Sequence, residues 1–319
     1  ILSSKILSIL FSMKKLYNEV ECKQLSYIPP TLSDSVDNMV KQATKSISKL
    51  PYMRRGNMPN DKEFLRLSPL AKKDILEHYP NAVKFIRLQI GADELINQVE
   101  RYCYWISDED LEEAEKIMPI KNAIDKCREY RINSKDKTLH VQAEKAHQMR
   151  EFFECNEMSL VIPIVSSESR EYIPMNFVPD KTIVPNSAQV IYDANLFVFG
   201  LLTSKMHILW TKHNAGRLDN RIRYSIFLCY NTFPFPSISD TKKSEIEEAA
   251  TNVLLARENY PEKTLADLYD PEKMPEDLRT AHEELDAIVE SCYPGAPFPN
   301  DEARLECLFK LYEKMTANK

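Results

Sequence analysis

Glycine is scarce in this chain, and its scarcity excludes the common nucleotide-binding loops. The 319 residues include five glycines, and no two of them stand at the spacing of a GxGxxG or a P-loop motif. The HExxH and GxSxG motifs of metalloproteases and serine hydrolases are also missing, and so is an Asn-Pro-Pro sequence. The sequence therefore predicts no catalytic residue and no cofactor within this chain.

The residues that could suggest a metal site do not form a complete motif. Pro179-Asp180 resembles the start of a metal-nuclease motif, but no matching Glu-x-Lys follows, so a turn is the preferred interpretation. His207 and His213 are six residues apart, a spacing that does not place two side chains well on one helix face. A catalytic pair of His207 with a cysteine stays open, although single histidines and cysteines more often have structural roles. We predict no metal site.

Paired cysteines and long apolar runs are absent too. The seven cysteines are scattered singly with no CxxC spacing, which favours free thiols in a reducing cytoplasm. The longest apolar stretch, residues 1–11, is too short to cross a bilayer and contains Lys5. We expect no membrane association and a helical lead-in over residues 1–26. Because the chain does not begin with Met, we also expect it to be a fragment of a longer polypeptide.

Charge is unevenly distributed along the chain. The net charge is −6, but residues 237–319 hold 10 basic and 19 acidic residues, which leaves 32 basic and 29 acidic residues in 1–236. Residues 201–236 alone carry five basic side chains and one acidic one. A local positive patch matters more for phosphate binding than the total charge does. The sequence thus permits a nucleic-acid contact in the first part and disfavours one in the second.

The hydrophobic pattern predicts an α+β fold, in which a mixed α/β domain at 27–236 is followed by a small all-α domain at 237–319. Ser68-Pro69 is typical of a helix start. Short β-like runs separated by Pro, Asn, Asp and Ser extend from Ser159 to Val198, and 224–230 is predicted as a buried strand. Residues 83–90 and Tyr102–Ile106 are also predicted as strands. Helices are predicted at Asp108–Met118, Lys121–Arg131, Leu201–His213, Ser244–Asn259, Glu276–Val289 and Asn300–Lys314.

The segment Gly216–Ser225 carries the strongest candidate for a binding site. Arg217, Asp219, Arg221 and Arg223 alternate with other residues, so in an extended segment their side chains would point one way. Arginine can contact guanine with two hydrogen bonds, and an aspartate can accept one from the cytosine amino group. The same pattern is also typical of a solvated strand face with an Arg–Asp pair. The residues alone leave both interpretations open.

Several ordered motifs resemble one known family. They run from Gly56-Asn-Met-Pro59-Asn-Asp61 through Ser166-Ser-Glu-Ser-Arg170, Phe199-Gly200 and Gly216-Arg217 to Tyr230-Asn231-Thr-Phe-Pro234-Phe-Pro236. Together they resemble the target-recognition domain of the MmeI-like (type IIL or IIG) restriction–modification enzymes. The acidic tail resembles the C-terminal helical domain of that family through Leu265-Ala-Asp-Leu-Tyr269-Asp-Pro271. The resemblance covers residues 50–319. One departure is Lys62-Glu63, where the family usually has two glycines.

The resemblance implies that this chain has a function other than catalysis. MmeI-like enzymes join a nuclease, an adenine methyltransferase and a target-recognition domain in one polypeptide. We therefore expect sequence-specific recognition of double-stranded DNA, with the methyltransferase domain of the same polypeptide as partner. S-adenosylmethionine would be the cofactor of that parent enzyme, and the catalytic domains would precede residue 1. The alternative is a protein-interaction module without DNA binding, which would use the acidic helical domain.

With the resemblance, base contact becomes the preferred interpretation for three residues, Asp219, Arg221 and Arg223. A second group is expected to contact or position the DNA backbone: Arg54, Arg55, Ser166, Ser167, Arg170, Ser204, Lys205, His207, Lys212 and Arg217. For the lysines and His207, a solvated helix face is the alternative. For the serines, it is a plain turn.

Overall fold

The structure is a computed structural model that describes residues 40–219 and 221–317, together with two short strands nearer the N-terminus. In that part of the chain the strands are β1 (Lys14–Tyr17), β2 (Cys22–Leu25), β3 (Met53–Arg55), β4 (Arg66–Leu67), β5 (Ile86–Leu88), β6 (Tyr102–Tyr104), β7 (Ser159–Pro163), β8 (Val165–Ser167), β9 (Asn176–Val178), β10 (Ala188–Ile191), β11 (Gly216–Leu218) and β12 (Arg221–Arg223).

The helices of the same residues are α1 (Pro69–His78), α2 (Ala92–Asn97), α3 (Leu111–Ala114), α4 (Met118–Ile132), α5 (Lys137–Gln142), α6 (Leu196–Thr203), α7 (Lys205–Asn214), α8 (Asp240–Glu258), α9 (Leu265–Leu268), α10 (Glu276–Glu290) and α11 (Asp301–Thr316). Strands and helices mix up to the π-helical turn Ile226–Tyr230, and helices alone follow it. The predicted α+β class is confirmed.

Antiparallel pairing organises the strands into small sheets. Within the described residues the sheet orders are β1-β2, β3-β10-β7-β9, β11-β12-β8 and β4-β6-β5. Strands β7 and β10 lie in the middle of their sheet and are buried at every position. A strand with both faces covered is apolar throughout, and their sequences, SLVIP and AQVI, have little alternation.

Side-chain caps explain where several helices begin. The Ser68 hydroxyl accepts the Ala71 N–H at 3.1 Å, and Pro69 takes the first helical position, as predicted. The Asn300 side chain accepts the Ala303 N–H at 2.9 Å and starts α11. Each cap satisfies an N–H group that has no partner inside its helix.

Three predictions of local structure are wrong in part. Residues 226–230 form a π-helical turn rather than a strand, because an apolar run alone does not distinguish a strand from a buried helical turn. The helix predicted at Leu201–His213 is two helices, divided at Ser204. Within 1–26, β1 and β2 pair as antiparallel strands where a helical lead-in was expected. The rest of that lead-in lies outside the described residues.

The C-terminal helices share a core with the first part of the chain. Helix α8 packs against α6, and Ile246 and Ala250 of α8 are fully buried in the same apolar cluster as Phe199. Gly200 makes this close approach possible, because a Cβ at that position would lie 2.8 Å from Ile246 Cγ2. The helical segment is therefore packed on the mixed segment through a continuous apolar core.

A buried arginine organises the loop after β3. Arg131 on α4 is 1% exposed, and its guanidinium donates five hydrogen bonds to backbone carbonyls. The acceptors are Pro59, Asn60, Gln142, Lys145 and Gln148. Arg131 thus ties the loop to the segment that follows α5.

The same loop contains the departure from the family pattern. Lys62 and Glu63 have positive φ angles of 51° and 67°, a region that favours glycine. The Asp61 carboxylate accepts the N–H groups of Glu63 and Leu65 at 3.0 and 2.9 Å and so supports this turn. The loop keeps a backbone shape suited to two glycines although it contains none there.

Candidate nucleic-acid interface

The segment with alternating charges is a hairpin rather than one extended strand. Strand β11 pairs with β12 so that Gly216 faces Arg223 and Arg217 faces Ile222. The chain reverses at Asp219, which has a positive φ of 53°. The prediction that all four charged residues share one strand face is therefore wrong for the segment as a whole. Arg217 occupies the register position opposite Ile222, and its side chain lies outside the described residues.

Arg221 and Arg223 are nevertheless exposed on one face of β12. The residue between them, Ile222, is 1% exposed and points into the protein. Successive strand residues point to opposite faces, so burial of Ile222 directs both arginines outward. The Asp219 carboxylate lies 3.5 Å from the Arg221 guanidinium, with both side chains more than half exposed. The hairpin thus presents two cations and one anion to solvent.

Strand β8 brings the predicted serine stretch beside this hairpin. Arg221 pairs with Ser167 and Ile222 pairs with Ser166. Ser167 is half-buried and its hydroxyl is hydrogen-bonded to that of Ser169 at 2.8 Å. Ser166 is 4% exposed because it shares the inner face with Ile222. The structure supports Ser167 as a neighbour of Arg221, and the predicted contact of Ser166 with DNA is wrong because its side chain is buried.

Arg170 follows the same turn. Its backbone N–H donates to the Ser167 carbonyl at 3.4 Å. Burial lowers the pKa of the half-buried Arg170 guanidinium below its ordinary value. Partial desolvation strengthens the interaction of a cation with an incoming anion. The backbone of Arg170 thus adjoins the Ser167 end of β8, and the charged group that acts on its guanidinium is Asp270 of the acidic segment.

The two arginines of β3 occupy opposite faces of their sheet. Arg55 is exposed, donates from Nε to the Asn186 carbonyl at 3.2 Å, and stands in register with Gln189. Gln189 in turn donates to the backbone of Tyr224, the residue after β12. The guanidinium of Arg54 instead stacks 3.3 Å over the Phe153 ring. Arg55 thus belongs to the side of the sheet that contacts the hairpin, and Arg54 to the other side.

Ser204 and His207 are core residues, which corrects their predicted contacts with DNA. Both are 0% exposed. The Ser204 hydroxyl caps α7 by accepting the His207 N–H at 3.4 Å. His207 Nε2 lies 2.8 Å from the Tyr224 hydroxyl oxygen, and burial lowers the pKa of His207 to about 3. A neutral imidazole enclosed by protein cannot serve as a phosphate ligand.

Lys205 and Lys212 line a cleft between α7 and the helices α10 and α11. The cleft has a volume of about 600 Å³. Lys205 Nζ lies 3.2 Å from the Asp301 carboxylate, so its charge is paired within the protein. Helix α7 is roughly 15 Å long for its ten residues, and Lys205 begins it whereas the hairpin follows its other end. The structure therefore does not bring Lys205 together with Arg221 and Arg223.

A buried carboxyl joins α7 to the helical segment at the same cleft. Asp286 on α10 accepts the Lys205 N–H at 2.6 Å and the Tyr172 hydroxyl at 2.7 Å. Burial raises the pKa of Asp286 to about 7. Sequence reasoning missed this residue, because an aspartate within an acidic helix carries no signal of its own.

Residues 40–219 and 221–317 include no group of three His, Cys, Asp or Glu side chains that could hold a metal ion. No helix within the same ranges is long and apolar enough to cross a membrane.

Comparison with known proteins decides the family. The target recognition domain of MmeI matches residues 34–237, and the C-terminal domain of MmeI matches residues 238–318. This chain belongs to the MmeI family. The match to the MmeI target recognition domain thus covers the elements from β3 to the π-helical turn, with the hairpin among them, and the match to the MmeI C-terminal domain covers α8 to α11.

Two longer proteins share this part of the MmeI architecture. The "DNA methyltransferase A" of Bacillus subtilis (strain 168) is 42% identical over 303 residues, which are 95% of this chain and 34% of that protein. The solved structure of the type IIL restriction–modification enzyme MmeI in complex with DNA is 36% identical, with a TM-score of 0.88, over 96% of this chain and 41% of that one. This chain therefore spans about a third to two-fifths of the length of these relatives.

Proposed function

We propose that this chain selects a short site in double-stranded DNA for an adenine methyltransferase of the restriction–modification type. The proposal rests on one observation: the side chains of Asp219, Arg221 and Arg223 are exposed on a hairpin within the part of the chain that matches the MmeI target recognition domain. The similar MmeI enzyme was solved in complex with DNA, which supports the same partner here.

Base selection is assigned to the hairpin. Arginine forms two hydrogen bonds with the O6 and N7 atoms of guanine, and aspartate accepts from the cytosine amino group. A carboxylate beside phosphates is unfavourable, so the presence of Asp219 next to Arg221 favours base edges over the DNA backbone. A two-stranded ribbon also fits the width of the major groove.

Backbone contacts are assigned to cations and hydroxyls near the hairpin. Arg55, Ser167 and Arg170 lie on elements that pair with it or adjoin it. Arg217 of β11 is kept in this group as a cation of the same hairpin, although its register position opposite Ile222 differs from those of Arg221 and Arg223. Such contacts provide affinity and orientation without sequence information.

Chemistry is assigned to a part of the parent protein outside this chain. The relative from Bacillus subtilis is named a DNA methyltransferase, and the chain covers 34% of it. We propose that methyl transfer from S-adenosylmethionine takes place there and that the present chain alone transfers no methyl group. The free thiols of the described cysteines support a cytoplasmic location, because cytoplasmic thiols are kept reduced.

Salt-dependent DNA binding tests the proposal. The purified chain is titrated with a random-sequence duplex between 50 and 200 mM salt, a range in which phosphate contacts are strongly weakened. We expect a linear fall of log K with log salt, and Arg55→Gln should reduce the slope by about 0.9. Lys310→Gln is the control, because Lys310 lies on α11 of the acidic segment. If the chain shows no salt-dependent binding to the duplex, a protein-interaction module without DNA binding is favoured instead.

A methyl-transfer assay tests the assignment of the chemistry. The purified chain is incubated with duplex DNA and labelled S-adenosylmethionine, and we expect no label in the DNA. Incorporation of label that survives repurification would contradict the placement of catalysis outside this chain.

A further inference from the structure

A buried polar pair lies directly behind the exposed arginines. Tyr224 follows Arg223 in the chain and is 3% exposed. Its hydroxyl oxygen lies 2.8 Å from Nε2 of His207, which is 0% exposed on α7. The hydroxyl of Thr211, one turn further along α7, lies 3.3 Å from the same nitrogen. The end of β12 is thus joined to α7 through the protein interior.

Each polar group of Tyr224 is bound to a different element. Its N–H donates to the carbonyl of Ile164, between β7 and β8, at 2.8 Å. Its carbonyl accepts from Gln189 Nε2, on β10, at 3.0 Å. Its hydroxyl meets His207 on α7. Three independent attachments fix the residue next to Arg223, so the orientation of β12 is determined from inside the protein.

The aromatic ring of His207 is also held in place. It packs edge-on against Phe233 with the ring centroids 4.6 Å apart, and it lies 5.7 Å from the Tyr224 ring. The contact with Phe233 does not involve Tyr224, so it holds the His207 ring in place when the tyrosine is displaced. Loss of the Tyr224 hydroxyl would therefore leave a buried nitrogen without this partner and relax the attachment of β12.

We propose that Tyr224 and His207 are positioning residues for base recognition, which hold Arg221 and Arg223 at the angle required at the base edges without touching DNA. This inference rests on the proposed function. Two parallel hydrogen bonds to guanine require a fixed direction of approach, whereas a phosphate accepts a cation from many directions. A small rotation of β12 should therefore weaken discrimination between sites more than affinity for DNA in general.

The test starts from the site that the wild-type chain selects from randomised duplex DNA. Dissociation constants are then measured for that site and for every duplex with one base pair changed, with wild type and Tyr224→Phe. The matched control is Tyr230→Phe, which also removes a buried hydroxyl. The Tyr230 hydroxyl donates to the Pro51 carbonyl at 2.6 Å and not to a residue of α7. Thermal unfolding confirms that each variant is folded at the assay temperature.

We expect Tyr224→Phe to reduce discrimination by about 3- to 10-fold at the base pairs contacted by Arg221 and Arg223, within the range of a weakened bidentate contact. The salt slope and the affinity for random DNA should not change, and Tyr230→Phe should leave discrimination at the wild-type level. Tyr224→Phe should also have no further effect when Arg221 and Arg223 are both glutamine. A merely structural role would not produce this dependence on the arginines.

A second pair of variants applies if Tyr224→Phe is unfolded. His207→Gln can place an amide nitrogen near the position of Nε2 and should retain discrimination, whereas His207→Met should lose it. Unchanged discrimination in folded Tyr224→Phe or His207→Met overturns the inference, and so does an equal loss in Tyr230→Phe. If the wild-type chain binds DNA but selects no site, the proposed function fails first and this inference fails with it.

Discussion

Asp286 of α10 accepts the backbone N–H of Lys205, the first residue of α7, at 2.6 Å. The MmeI C-terminal domain thus places a carboxyl at the N-terminus of a helix that belongs to the target recognition domain. A carboxylate is favourable at a helix N-terminus. Burial opposes its ionisation, however, and raises the pKa of Asp286 to about 7 from an ordinary value of 3.8.

The first prediction concerns this carboxyl and pH. Because the pKa is higher in the folded protein, the stability that Asp286 contributes is complete below about pH 4 and is lost as the pH rises through 7. Asp286→Asn should remove this dependence, so the fall in the free energy of unfolding between pH 5 and pH 8 should be smaller than in wild type by about 2–3 kcal/mol. Urea unfolding at pH 5 and pH 8 measures the difference.

The exposed Glu302→Gln variant, on α11, is the control for a general charge effect. It should show the same pH dependence as wild type. A destabilised Asp286→Asn at pH 8, with wild-type pH dependence, would mean that the carboxylate is ionised and needed in the folded state.

The second prediction concerns the two residues that replace glycines. Lys62 and Glu63 are exposed and have positive φ angles, so glycine at either position should relieve backbone strain. The greater freedom of glycine in the unfolded chain offsets part of this gain, and we expect a net stabilisation of about 0.5–1 kcal/mol for either variant. Thermal unfolding is the measurement.

Lys73→Gly provides the comparison, since Lys73 lies inside α1. There glycine should cost about 1 kcal/mol. Loss of stability in both Lys62→Gly and Glu63→Gly would show that their side chains, rather than the turn alone, stabilise this loop.

The third prediction concerns Arg131. Its replacement by methionine would remove the donor of five hydrogen bonds to backbone carbonyls, one of them buried and four part-buried, and we expect a loss of about 3 kcal/mol. Arg128→Met, on the same helix, removes ion pairs with the half-exposed Asp125 and Glu115 and should cost less than about 1 kcal/mol. Chemical denaturation measures both variants. Similar losses would contradict a special role for Arg131.

The sequence predicted the larger elements well and the turns less well. The helix that begins after Ser68 and the buried strand at 188–191 follow from capping chemistry and from an apolar run. The reversal at Asp219 was missed because the alternation of charges dominated the interpretation. Asp and Asn both tolerate a positive φ, so Asp219-Asn220 did contain a signal for the turn.

Burial of polar residues was harder to predict than secondary structure. His207 lies between Met206 and Ile208 in a largely apolar stretch, a signal that favoured the core, but the residue type suggested a phosphate ligand. The contacts of Asp286 and Arg131 span 81 and 71 residues of sequence, respectively. No local pattern predicts such contacts, because they depend on how distant elements pack.

Exchanging the charges of Asp219 and Arg221 tests directly whether these two residues contact bases. Asp219→Lys combined with Arg221→Asp preserves an ion pair at the hairpin, so folding should be maintained while the hydrogen-bonding groups are altered. Both the wild type and the double variant are used to select sites from one randomised duplex library, and the selected sequences are compared. We predict a changed preference at one or two adjacent base pairs, with the remaining positions of the site unchanged. Selection of the wild-type site by the folded double variant, with no shift at any position, would show that Asp219 and Arg221 do not contact bases.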